Sequence, residues 1–173
     1  MFKSFLENKQ HEELALKFAE EKHAGQKRKF TGEPYIVHPK QVADLVKKFG
    51  GDSIMIQAAY LHDVLEDTNT TFEELEDNFG SMIAYLVKEL TNDFNKLKEL
   101  GKTNYLVQKM NKMSSNALII KLADRLSNVS DFDTADLKWA KKYSKQTEEI
   151  LNQLKHLNPT HERIIKEIRS KLI

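Results

Sequence analysis

Apolar residues recur along this chain mainly at three- and four-residue spacing, and only six glycines and three prolines interrupt 173 residues. That period belongs to helices with one buried face and leaves little room for strands. The expected fold is therefore all-α, a single-domain helical bundle of about eight to ten helices spanning residues 1–173. A chain of this length can bury a core without disulfides or a structural metal, so any metal it calls for has a functional reason.

The spacing predicts a helix from about His11 to Ala24, followed by the breaker-rich GQKRKFTGEPY. A second helix begins near Pro39, shows Val42, Ala43, Leu45, Val46 and Phe49 on one face, and stops at Gly50-Gly51. Asp52 or Ser53 can cap a third, running from about Ile54 to Glu66. Thr70 or Thr71, with Glu73 or Glu74 three residues on, gives a capping-box pattern for a short helix before Gly80, which starts the next. Residues 93–113 read as a charged helical stretch interrupted near Gly101. Ser114 or Ser115 opens ALIIKLADRLSNVSDF, an amphipathic helix reaches Leu157, and Asn158-Pro159 sets off a last helix over 159–173.

Charge excludes some partners. Lys+Arg of 27 against Asp+Glu of 26 gives a net charge of +1, a field that favours neither a nucleic-acid polymer nor an anionic membrane. With no cysteine, the chain has no thiolate metal site and no cysteine nucleophile. MFKSFLENKQ lacks an apolar leader core, and no run approaches the ~18 apolar residues of a spanning helix. These features lead us to expect a soluble cytoplasmic protein.

Against that background LHDVLEDTNTT, residues 61–71, stands out. His62, Asp63, Glu66 and Asp67 lie among Tyr60, Leu61, Val64 and Leu65, which suit a core. On one helix, His62 with Glu66 and Asp63 with Asp67 are each four apart, so the four side chains would share one surface. Three acids and a threonine could be no more than a solvated helix end. The adjacent His-Asp pair argues otherwise, since imidazole nitrogen with carboxylate oxygen suits Mn²⁺, Fe²⁺ or Zn²⁺. Two ligands do not complete a site. His38 in YIVHPK and Asp124 in IIKLADRLSN are candidate donors. Asp124 is one acid in an apolar run, a costly placement unless it is paired with Lys121 or Arg125 or bound to a cation.

In order, His38, His62-Asp63 and Asp124 match the H…HD…D pattern of the HD-domain metal-dependent phosphohydrolases. HAGQKRKFTGEPYIVHP (23–39), AAYLHDVLEDT (58–68) and IIKLADRLSNV (119–129) closely resemble the hydrolase domain of the RelA/SpoT homologue family. That family removes pyrophosphate from the 3′ position of (p)ppGpp, and the likeness spans roughly residues 10–155. It implies one Mn²⁺ held by His38, His62, Asp63 and Asp124, with Glu66 and Asp67 as the pair that handles the attacking water. It also places Arg28 and Lys29 beside the nucleotide, where a guanidinium can stack on a base and an ammonium can meet phosphate. Asn128 would contact the sugar, Tyr35 would make a loop contact, and Tyr143 a base or phosphate contact. Thr68 falls to a capping or supporting place, and Arg125 to orienting an acid.

With no synthetase region in the sequence, the resemblance implies a stand-alone small alarmone hydrolase whose partner is a nucleotide, ppGpp or pppGpp. Two positions depart from the pattern: Ser127 where D-R-L-H-N has histidine, and Phe30 after the basic pair. Neither is a metal ligand, so they bear on substrate choice. (p)ppApp and a nicotinamide dinucleotide phosphate are the rival substrates, and a nucleotide-binding module without turnover or a helical scaffold without a site are the rival classes.

Overall fold

The computed structural model describes the backbone of residues 2–173 and the side chains of residues 6–173. The expectation that the N-terminus carries no apolar leader falls partly on side chains outside that range. Among the described residues every regular element is a helix, and the one β feature is an isolated antiparallel bridge between Lys27 and Pro34. Packing groups the chain into two compact units, one ending at Thr91 and one over Asn92–Ile173.

The first unit holds α1 (Phe2–Lys22), α2 (Val37–Lys48), α3 (Ser53–Leu61), α4 (Val64–Asp67), α5 (Phe72–Phe79) and α6 (Ser81–Leu90). At its centre lies α3, packed against α1, α2 and α6. It is apolar nearly all round, and Met55, Ile56, Ala58, Ala59 and Leu61 are buried, as expected of a helix with no solvent face. Alanines at 15, 19, 58 and 59, all fully buried, allow close approach of α1 and α3. Burying a side chain such as Leu61 contributes about 1.5–3 kcal/mol.

Two local signals set the ends of these helices. The Asp52 side chain accepts from the Met55 N–H to start α3, and Thr71 accepts from Glu74 N–H to start α5. Gly51 is needed for space, since a Cβ there would lie 2.4 Å from Val46 Cγ1 and 3.1 Å from the Val46 carbonyl oxygen. The expected start of α1 at His11 is corrected to Phe2. The sequence KSFLENKQ has no three- and four-residue apolar pattern but contains good helix formers without Gly or Pro, so it extends the helix.

In the second unit are α7 (Phe94–Leu100), α8 (Lys102–Met110), α9 (Ser115–Ser130), α10 (Leu137–Leu151) and α11 (Pro159–Arg169). Ser114 caps α9 by accepting from Ala117 N–H, and α9 is the buried element, with Leu118, Ile119, Ile120, Leu122, Ala123, Leu126 and Val129 inside. It packs against α10 and α11, while α8 packs against α7 and α10. The 93–113 stretch divides at Gly101, whose φ of 74° is easy for glycine and interrupts the helix. Helix α10 ends at Leu151 instead of Leu157. Asn111 is the reason: its Nδ2 donates to the Gln153 carbonyl and its Oδ1 accepts from Lys155 N–H, drawing 153–155 out of helical register.

Candidate metal centre

The helix expected over 54–66 is interrupted at the motif, which corrects the picture of four side chains on one continuous face. Helix α3 ends at Leu61, His62 and Asp63 form a turn, and α4 resumes at Val64. His62 Nδ1 lies 2.8 Å from the Ala59 carbonyl, so the ring donates to an acceptor that a continued helix would give to the Asp63 N–H. Helical hydrogen bonding restarts from the Asp63 carbonyl, which accepts from both Glu66 and Asp67 N–H groups.

That local competition fixes the chemistry of His62. A carbonyl only accepts, so Nδ1 carries a proton and Nε2 of the neutral ring carries the lone pair. Nε2 sits 2.9 Å from Asp63 Oδ2, another acceptor. His38 Nε2 is 3.9 Å from the same oxygen, and the His38 and His62 rings meet edge to face at 5.2 Å. Both histidines are 2% exposed. A lone pair facing a carboxylate at this distance requires a cation between or beside them, either a proton on the imidazole or a metal ion. Two imidazole nitrogens and a carboxylate oxygen fit a divalent transition metal.

Their supports are in place. Tyr35 donates its hydroxyl to Asp63 Oδ2 at 2.6 Å, and its ring packs 5.9 Å from His38. Tyr35 thus supports the carboxylate of Asp63, a candidate ligand, while the sequence suggested a nucleotide contact for it. It is carried by a hairpin-like loop: Tyr35 N–H donates to the Gln26 carbonyl, Arg28 N–H to the Glu33 carbonyl, and Gly32 N–H to the Arg28 carbonyl. Arg28 is half-buried, and Lys29 is exposed with its ammonium 5.2 Å from the Phe30 ring centre. Downstream, Glu66 is half-buried and Asp67 exposed, and Thr68 Oγ1 donates to the Val64 carbonyl to close α4.

In the second unit, α9 presents Lys121, Asp124, Arg125 and Asn128 on neighbouring turns. Asp124 Oδ2 is 2.9 Å from Lys121 Nζ, with both side chains only 14% and 11% exposed. Its Oδ1 accepts from Asn128 Nδ2 at 2.7 Å. Asn128 therefore orients the acid as well as lying one turn beyond it. Arg125 is buried, donates to Thr147 Oγ1, and lies over the Tyr143 ring at 5.1 Å. Tyr143 stacks on Trp139 with ring centres 5.0 Å apart, and burial pushes its phenol above its ordinary range against the nearby Arg125 charge.

Sequence reading missed two residues with roles here, His23 and Gln26; Lys121 is one of the two ion-pair partners it offered for Asp124. His23 is 3% exposed and packs 4.8 Å from the Tyr35 ring. Burial pushes its imidazole below the ordinary value, partly offset by the Gln26 hydrogen bond and the Asp63 charge. The available signal was HAGQ, a histidine and a glutamine three apart at a helix end with a turn glycine between them.

Known proteins share this architecture. A model of the HD domain family matches residues 15–159. The chain is 40% identical over 151 residues to the guanosine-3′,5′-bis(diphosphate) 3′-pyrophosphohydrolase of Aquifex aeolicus, covering 82% of this chain and 20% of that one. It is 41% identical over 122 residues to the Homo sapiens guanosine-3′,5′-bis(diphosphate) 3′-pyrophosphohydrolase MESH1, covering 69% and 68%. A solved structure of a metazoan ortholog of SpoT that hydrolyzes ppGpp superposes with a TM-score of 0.81 at 29% identity, covering 93% and 94%. The chain belongs to the HD-domain family. Within it, the chain is a homologue of the SpoT- and MESH1-type 3′-pyrophosphohydrolases, and it spans about a fifth of the length of the Aquifex protein.

Proposed function

We propose that this protein is a cytoplasmic Mn²⁺-dependent hydrolase that converts (p)ppGpp to GDP or GTP plus pyrophosphate. The observation that carries this reading is the convergence of two buried imidazoles on one carboxylate, with His62 Nε2 2.9 Å and His38 Nε2 3.9 Å from Asp63 Oδ2. We assign His38, His62, Asp63 and Asp124 as the ligands. Asp124, which pairs with Lys121, would hold the cation in place of that ammonium. When bound, the metal supplies positive charge to phosphate oxygens and acidity to a water molecule. Ala59 fixes the His62 tautomer and Tyr35 fixes the Asp63 carboxylate, so both ligands are oriented before loading.

The reaction breaks the bond between the ribose 3′ oxygen and its pyrophosphate. Water oxygen ends on phosphorus, Glu66 or Asp67 takes one water proton, and a proton reaches the departing 3′ oxygen. Arg28 and Lys29 stand on a loop suited to the nucleotide, with Asn128 and Tyr143 as contacts from α9 and α10. The partner is thus a small nucleotide, with neither a nucleic-acid polymer nor a membrane. Among the described residues no helix is long and apolar enough to cross a membrane.

A panel of ppGpp, pppGpp, ppApp and nicotinamide dinucleotide phosphates with Mn²⁺, assayed for phosphate and pyrophosphate release, tests the substrate assignment. Guanosine alarmones should turn over fastest. Glu66→Ala and Asp67→Ala should retain metal while losing most turnover, and loss of metal with full activity per bound ion would contradict those roles.

A further inference from the structure

Helix α4 has four residues, far too few to be stable alone, yet it carries both proposed water-handling carboxylates. Its last residue is held from outside. Gln26 Nε2 lies 2.8 Å from the Asp67 carbonyl oxygen. That oxygen only accepts, so the amide must present its NH₂ there and turn Oε1 the other way. Oε1 then faces His23 Nδ1 at 2.8 Å, and because Oε1 also only accepts, the His23 proton is on Nδ1. The side chain of His23 is buried, and Nε2 makes no hydrogen bond. One backbone carbonyl therefore dictates the orientation of an amide and the tautomer of a histidine, and ties the end of α1 to the end of α4.

We propose that His23 and Gln26 are positioning residues that hold Glu66 and Asp67 in their working geometry. The role rests on the hydrolase reading above. Neither residue touches the reacting atoms in this assignment. They act by anchoring the Asp67 carbonyl, while Thr68 Oγ1 anchors the Val64 carbonyl one turn earlier. Displacing a catalytic group by about 1 Å can cost about 100-fold in rate, so a loose α4 should be read in turnover before it is read in folding.

Gln26→Met and His23→Phe remove the link at each end, and the phenyl ring keeps a partner for Tyr35. Each should lower kcat on ppGpp by about 10- to 100-fold, with KM and Mn²⁺ affinity changed by no more than about twofold. His23→Asn puts an amide donor near the place of Nδ1 and should recover most of kcat, which a packing role would not allow. Ring nitrogen resonances of the metal-free chain should show His23 protonated at Nδ1, the tautomer that free histidine disfavours. Full kcat in both variants, a loss confined to KM or metal affinity, or a proton on Nε2 would each overturn the proposal while leaving an active wild type and the hydrolase reading intact. A wild type that turns over no nucleotide would instead overturn the hydrolase reading, and the positioning role with it.

Discussion

Replacing Tyr35 with phenylalanine separates a supporting role from substrate contact at one atom. The hydroxyl donates to Asp63 Oδ2 at 2.6 Å, the short length of a hydrogen bond to a charged oxygen. Asp63 is 16% exposed in its side chain, so water replaces the bond only in part. Bonds of this kind contribute about 1.5–3 kcal/mol. The phenyl ring keeps its packing against His23 and His38, so the loss is confined to the hydroxyl. The metal-free variant should lose about 1.5–3 kcal/mol of stability, a Tm decrease of roughly 3–12 °C at about 2–4 °C per kcal/mol for this size. Mn²⁺ affinity should fall about tenfold or more, because an outer partner that orients a ligand is typically worth 10- to 100-fold. Calorimetric Mn²⁺ titration of wild type and Tyr35→Phe, with thermal unfolding alongside, measures both quantities. Unchanged metal affinity with a raised KM for nucleotide would refute the supporting role and return Tyr35 to the nucleotide contact suggested by the sequence.

Gly51→Ala should destabilise the chain by about 1–3 kcal/mol in chemical denaturation, since the new methyl meets both the Val46 side chain and its carbonyl. Burial holds His23 below its value in the unfolded chain; its contribution to stability is then fully present above about pH 6.5 and declines as the pH falls from there toward the folded value. Wild type should therefore lose more stability than His23→Phe between pH 7 and 5, and parallel curves would contradict the burial effect. Lys121→Met removes the cation beside the half-buried Asp124 and leaves its hydrogen bond from Asn128 in place. The metal-free form should be the more destabilised one, so Mn²⁺ should raise Tm by more in Lys121→Met than in wild type; an equal rise would argue against Asp124 as a ligand.

The helical fold was legible because three- and four-residue apolar spacing and scarce breakers have few other solutions. Asp52, Thr71 and Ser114 acted as the caps their positions suggested. What periodicity could not reveal was a side chain overriding the backbone. His62 captures the Ala59 carbonyl and breaks a helix whose apolar pattern continues, and Asn111 ends α10 from a distant helix. The candidate metal centre was legible as residue types, but the supports of those residues are hydrogen bonds between segments far apart in sequence. Tyr35 is 28 residues from Asp63, and Gln26 is 41 from Asp67. Asp124 could be read either as an ion pair or as a ligand, and in the structure it pairs with Lys121.

Pyrophosphate release from ppGpp by the purified chain, with and without Mn²⁺, tests the central claim most directly. Release that requires the metal and vanishes in a His62→Ala/Asp63→Ala double variant is the predicted result; no release above that variant, with Mn²⁺ bound to the wild type, would contradict it.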